Sequence, residues 1–216
     1  MMQSERMRYL FFCCIGLHVA QQLSGVNVVF YYSTTFFEGV IENPLLGTTL
    51  IGAVNVGFTY VALLLMDSCR RKSLLLWSLG GMFLACCTLV LAQTGFFSGT
   101  VALLAVNVYV AFFEIGMGPI PWLIIAEMFE AKYVALAMSL CSQLNWMVCF
   151  VVSLGFPTMH EVLDQFTFIP FAVILFIAFW STWRLVPETQ GTAPHQVMAM
   201  LSPKPCTSSN VKITPW

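Results

Sequence analysis

Charge is what this sequence has least of. Asp, Glu, Lys and Arg make up 9% of its residues, where an ordinary soluble domain carries about 25%. A deficit of that size, beside 59% hydrophobic residues and a mean hydropathy of +0.84, excludes a soluble globular core and indicates a polytopic membrane protein. A net charge of −1 offers nothing to nucleic acid. The eight cysteines show no paired metal-ligand spacing and read as small packing residues. His18, His160 and His195 are scattered, with no catalytic constellation around them. No enzyme, metal or cofactor is therefore expected, and His18 reads as a helix-packing histidine. Asn-X-Ser/Thr sequons are absent, so glycosylation does not orient the chain. The first apolar run is too long for a signal peptide, lacks a small-residue cleavage site and is followed by more of its kind.

What the sequence does have is long apolar runs. Charges and turn residues divide it into six segments, about 9–37, 46–66, 73–92, 100–126, 133–157 and 165–184. Each reaches the length of about 20 residues that a membrane helix needs. The Lys and Arg residues then fall on one side only. Arg6 and Arg8 precede the first span, Arg70, Arg71 and Lys72 follow the second, and Lys132 follows the fourth. Arg184, Lys204 and Lys212 close the chain. The opposite loops hold Glu38, Glu42, Glu161 and Asp164, without Lys or Arg. The positive-inside rule predicts both termini in the cytosol. The expected organisation is a cytosolic segment 1–8, a six-span bundle 9–187 and a polar cytosolic tail 188–216, disordered beyond residue 202.

Few polar groups lie deep in these spans. Glu114 is the one ionisable residue near the middle of a span, a costly placement that points to function. It precedes "GMGPIPW", where Gly116, Gly118, Pro119 and Pro121 predict an interrupted helix. The first span carries Gln21, Gln22, Asn27, Tyr31 and Tyr32. At about 100° per residue they spread over roughly 220° of arc, too wide for one face of a straight helix. A break at Gly25 turns the amides toward one cavity. Interrupted helices in the first and fourth of six spans occupy matching positions in two inverted triplets, the pattern that marks a transporter's midplane site. Asn55, Asn145 and Trp122 extend the set. Amides that donate and accept, with aromatic faces for C–H stacking, suit a neutral polyhydroxylated ligand. An anionic one would want an intramembrane Lys or Arg, and the spans carry none. The plainer alternative is that the amides bridge neighbouring helices, at about 0.6 kcal/mol each. For Asn145 that alternative stays open.

The stretches "QQLSGVNVVFYYSTTFFEGV", "GAVNVGFT", "FFEIGMGPIPWLIIAEMF" and "VPETQG" resemble the facilitative glucose transporters, sugar porters of the major facilitator superfamily. The likeness runs from about residue 4 to residue 191 and matches that family's C-terminal half, spans seven to twelve. The resemblance implies an all-α membrane fold of two inverted three-helix repeats. It also implies a hexose site formed by Gln21, Gln22, Asn27, Asn55, Glu114 and Trp122. Tyr31 and Tyr32 match the family's outer gate. Asp67, Arg70, Arg71, Glu127 and Glu188 match its cytosolic charge latch.

Three positions depart from the family pattern. Cys69 stands where the family has glycine, which puts a positive-φ turn in question. Val134 replaces an arginine, so the latch carboxylates are predicted to lack their partner, with Lys132 as a substitute. Met117 replaces a proline, which predicts a less kinked fourth span. The implied function is facilitated diffusion of a hexose, glucose first, across the plasma membrane. The expected partners are the lipid bilayer and a complementary N-terminal half or another transporter chain. The alternative is a truncated, non-transporting homologue that binds sugar weakly or regulates an intact transporter. A cation channel is disfavoured, because no span has an Arg ladder or a TVGYG-like filter.

Overall fold

Proline and glycine positions decide where the apolar runs break into helices. The computed structural model describes residues 2–37 and 43–200. The first span is two helices, α1 (Met2–Leu23) and α2 (Val26–Phe37). Then follow α3 (Pro44–Ser68), α4 (Arg71–Gln93) and α5 (Gly99–Phe112). A five-residue π turn, Phe113–Met117, leads from α5 to α6 (Ile120–Met128). After these come α7 (Ala131–Leu163), α8 (Ile169–Leu185) and α9 (Pro194–Met200). Among the described residues there is no strand. The protein is an all-α membrane protein. Five stretches are long and apolar enough to cross a bilayer, and α8, with 17 residues, is the shorter sixth. At about 1.5 Å per residue α8 extends about 26 Å, at the lower limit for a spanning helix.

Local chemistry sets the helix starts. Asn43 caps α3 by accepting from the Leu46 amide at 3.4 Å, and Pro44 opens the helix, where its missing N–H costs nothing. α4 forms the centre. Its buried face, with Leu75, Leu79, Met82, Cys86 and Leu89, packs between α5 and α8, while α1 packs on α7. α3 and α7 remain largely uncovered, with 11% and 22% of their spanning windows buried, against 56% for Gly99–Met128. The site described below opens between these two exposed helices.

Two helix ends fall away from the expected span ends. The fifth span was expected to stop at Pro157, but α7 runs through it to Leu163. A proline removes one donor and bends a helix without having to end it. Here Phe156 is held between the rings of Tyr32 and Phe171, at 4.9 and 6.4 Å. The sixth span begins at Ile169 rather than 165, because Asp164–Phe166 form a 3-10 turn tied down by Thr167, whose hydroxyl donates to the Asp164 carbonyl. Within the segment that follows residue 188, residues 194–200 form a short helix. α9 packs on α6 with Val197 fully buried, and Thr189 is buried as well. The disorder expected beyond residue 202, and the loop carboxylates Glu38 and Glu42, lie outside the described residues.

Candidate functional site

The two helix breaks build the site, and each has its freed backbone groups satisfied from elsewhere in the bundle. In the first span the helix stops at Leu23 and resumes at Val26. Gly25 between them has φ +85°, and a Cβ there would lie 2.8 Å from the Phe171 ring, so only glycine fits. The Ser24 carbonyl accepts from the Tyr109 hydroxyl at 2.6 Å, and the Ser24 hydroxyl donates to the Gln21 carbonyl at 2.6 Å. In the fourth span the π turn brings Gly116 against α4, where an added Cβ would lie 2.6 Å from the Leu74 carbonyl oxygen. The Met117 amide donates to Ser78 Oγ at 3.0 Å, a bond that the family's usual proline lacks the donor to make. The carbonyls of Met117 and Gly118 accept from Gln21 Nε2 at 2.6 and 2.8 Å. Irregular backbone at membrane depth is tolerable when its polar groups find such partners.

Between the breaks lies a cavity of about 380 Å³, lined in part by Gln21, Gln22, Asn27, Glu114, Trp122, Asn145 and Trp146. Its volume falls in the range usual for small-molecule sites, about 300–1,000 Å³. One wall is a chain of amides. Asn27 Nδ2 donates to Gln22 Oε1 (2.5 Å), Gln22 Nε2 to Asn145 Oδ1 (2.8 Å), and Asn145 Nδ2 to Gln21 Oε1 (2.8 Å). Asn27 also reaches Cys149 Sγ at 3.2 Å. On the other wall Glu114 Oε1 accepts from Asn55 Nδ2 at 2.5 Å and Oε2 from Thr59 Oγ1 at 3.1 Å. Among the described residues no Lys or Arg forms an ion pair with Glu114. Its carboxylate therefore remains an acceptor held by two neutral donors. Trp122 stands edge-on to His18, with centroids 4.6 Å apart.

Five of the six residues expected for the site line this cavity, and Asn55 joins it through Glu114. Asn145 does what the plainer reading expected, bridging α7 to α1, and it also lines the cavity. His18 is buried as a packing residue, and its Nδ1 lies 3.3 Å from Asn145 Nδ2, so it borders the amide network too. Sequence reasoning missed Thr59. Its signal was its position four residues after Asn55, on the same face of α3. Tyr31 and Tyr32, expected at an outer gate, lie further along α2 than Asn27. Tyr32 donates to the Ser153 carbonyl at 3.2 Å, whereas Tyr31 is exposed.

The charged cluster around Arg71 answers two expectations. Cys69 has φ −113° and ψ 145°, extended backbone that needs no glycine. The carboxylates expected to form a latch are not left without a partner. Arg71 Nε donates to Glu127 Oε1 at 2.9 Å, and its Nη1 reaches the Met66 carbonyl. Glu188 caps α4 by accepting from the Arg71 backbone amide at 2.9 Å and pairs with Arg70 at 3.6 Å. Thr189, also missed, donates its hydroxyl to Glu127 Oε2. Lys132 does not substitute for the absent arginine: it pairs at 3.0 Å with Glu130 on the surface. Asp67 enters through its backbone carbonyl, which accepts from Gln190 at 3.4 Å.

Two broken helices facing one another across a cavity lined by amides and one carboxylate are the architecture that many secondary transporters share. The family model described as sugar (and other) transporter matches residues 1–201, and the chain belongs to that family. It is 39% identical over 190 residues to solute carrier family 2, facilitated glucose transporter member 4 of Homo sapiens, covering 86% of this chain and 37% of that protein. It is 41% identical over 182 residues to member 3 of Oryctolagus cuniculus, covering 82% and 37%. Among solved structures, a double-tryptophan mutant of XylE superposes with a TM-score of 0.83 at 27% identity, covering 90% of this chain and 43% of XylE. The D-xylose–proton symporter gives 0.79 at 29%, covering 85% and 44%. The chain thus spans less than half the length of these relatives.

Proposed function

We propose that the chain forms the C-terminal half of a hexose carrier that works by facilitated diffusion at the plasma membrane, with D-glucose as its ligand and both termini in the cytosol. The observation that carries this reading is the cavity itself. Amides and one carboxylate held by neutral donors, bordered by indole rings, match the alternating hydroxyls and C–H faces of a neutral sugar. Gln21, Gln22, Asn27, Asn55, Glu114 and Trp122 form its wall, Tyr31 and Tyr32 its outer gate, and the cluster of Asp67, Arg70, Arg71, Glu127 and Glu188 its cytosolic latch. The names of the relatives, facilitated glucose transporters, support the choice of sugar. The open side between α3 and α7 supports a complementary N-terminal half as the second wall.

The test is equilibrium binding of labelled D-glucose to the purified chain in lipid nanodiscs. Saturable binding displaced by unlabelled glucose is expected. Glu114→Ala removes a hydrogen-bond acceptor, and about 0.5–1.5 kcal/mol of interaction corresponds to a roughly 2- to 10-fold weaker affinity. Binding that is absent in the parent chain, or unchanged in the variant, refutes the reading. A second expectation concerns transport. In liposomes the chain alone takes up glucose far more slowly than a full-length relative, because alternating access needs two halves rocking around the ligand. Uptake at the full-length rate by the chain alone contradicts the proposed need for a second half.

A further inference from the structure

We infer that Tyr109 is a positioning residue: its hydroxyl holds the break in the first span and so sets how Asn27, on α2, stands against Gln22, on α1. The first observation is the bond itself. Tyr109 lies in the last turn of α5 and is 2% exposed. Its hydroxyl donates to the Ser24 carbonyl at 2.6 Å. Ser24 is itself 1% exposed, so water does not stand in for the phenol. The ladder of α2 resumes one residue later, where the Gly25 carbonyl accepts from the Val29 amide at 3.2 Å. The Ser24 carbonyl is thus a group freed by the break, and a side chain from the fourth span takes it up.

The second observation is placement. The break lies between two members of the amide chain. Gln22 precedes it. Asn27 follows it and donates to Gln22 Oε1 at 2.5 Å and to Cys149 Sγ at 3.2 Å. These contacts require α1 and α2 to keep their angle. Gly25 packs on the Phe171 ring, and Tyr109 ties down the residue before it. Tyr109 does not line the cavity, so its effect on the ligand groups passes through the backbone. The same residue touches the second break. Its carbonyl accepts from the Phe113 amide, where the π turn begins. The two breaks therefore lean on each other: Gln21 donates to carbonyls of the fourth span, and Tyr109 donates to one of the first.

The experiment uses the ligand-free chain in nanodiscs and its own cysteines. Tyr109→Phe deletes one oxygen and keeps the ring. Labelling by N-ethylmaleimide is followed at each cysteine by mass spectrometry. Cys149 is 6% exposed and touches Asn27. It is expected to label on the order of 2- to 10-fold faster in Tyr109→Phe, the factor that loss of one hydrogen bond gives in an opening equilibrium. Deuterium exchange at the Gly25 and Val29 amides is expected to rise with it. Cys14 and Cys141, both fully buried, keep their rates. Tyr9→Phe is the matched control. It deletes another phenol bond of 2.6 Å, to the Leu185 carbonyl, and is expected to leave Cys149 unchanged. Unchanged labelling or unchanged exchange in Tyr109→Phe overturns the inference. So does an equal rise at all three cysteines, which is general loosening, or an equal effect of Tyr9→Phe on Cys149.

The inference about the break stands on these contacts, and its consequence for a ligand rests on the sugar-site reading. A sugar that bridges Gln22 and Asn27 favours the held angle. Saturating D-glucose is therefore expected to bring the ratio of Cys149 labelling rates, variant to parent, back toward one. Glucose that binds both chains and leaves this ratio unchanged separates the break from the site and overturns the positioning role. Failure of the parent chain to bind glucose refutes the sugar site and leaves the labelling result standing.

Discussion

Alanine at position 116 is expected to destabilise the chain by about 3 kcal/mol, the upper part of the usual range for overpacking. The added methyl would lie 2.6 Å from the Leu74 carbonyl oxygen and 2.7 Å from Ser78 Cβ. The closest of these atoms is backbone, not the flexible end of a side chain, so the π turn and α4 must separate. Separation also stretches the bond from the Met117 amide to Ser78 Oγ, now 3.0 Å, and leaves a buried donor unpaired. Thermal unfolding in detergent is the measurement. A midpoint lower by about 6 °C or more is expected, from about 2–4 °C per kcal/mol at this chain length. Gly118→Ala is the control: its Cβ would meet Phe113 and Glu114 at 3.3 and 3.4 Å, contacts that yield by small side-chain shifts. An unchanged midpoint for Gly116→Ala would mean that the break does not lean on α4.

Both breaks were legible in the sequence because glycine and proline mark them with a direct steric mechanism. Gly25 is read from the clash of an amide-rich arc with a straight helix, and Pro119 and Pro121 from their missing donors. The spans were legible for a similar reason: hydrocarbon thickness fixes their length and the Lys and Arg residues fix their ends. What the sequence left unread depends on contacts between distant segments. Nothing local to Pro157 says that α7 continues, since that follows from Phe156 packing on rings of α2 and α8. The polar composition of residues 188–200 hid α9, which packs on α6 and buries Val197.

The candidate site shows the same division. Residue types named the cavity's chemistry, but partners decide roles. Gln21 and Gln22 are indistinguishable in composition, and the structure separates them by what their amides touch. The latch was misjudged because one expected arginine is absent at Val134. That inference looked for a substitute only at Lys132. Arg71, on a different helix, meets Glu127 directly, and Val134 packs against the core instead.

That arrangement gives the second large effect: Arg71→Met is expected to cost about 2 kcal/mol, between the ranges for an exposed and a fully buried pair. The Arg71 and Glu127 side chains are 13% and 19% exposed, so solvent does little to screen or replace them. Without the guanidinium, Glu127 keeps only the Thr189 hydroxyl among the described partners, and the Met66 carbonyl loses the donor that Arg71 provides. The Met variant leaves the backbone amide of residue 71 in place, so the cap from Glu188 is preserved and the loss is confined to the guanidinium. Arg71→Lys should recover only part of the loss, because a single ammonium does not span Glu127 and Met66 as the planar fork does. Arg70→Ala should cost little. Its side chain is 72% exposed and its contact with Glu188 is 3.6 Å, and exposed pairs are worth about 0–1 kcal/mol. Two readouts check the ordering. One is the thermal midpoint of the three variants. The other is the rate at which a membrane-impermeant maleimide labels the half-buried Cys69, the residue just before the Arg pair. Faster labelling in Arg71→Met than in Arg70→Ala is expected, since Arg71 ties the end of α3 to α6 through Met66 and Glu127. Equal rates and equal midpoints in the two variants would mean that the cluster is a surface ornament and does not join these helices.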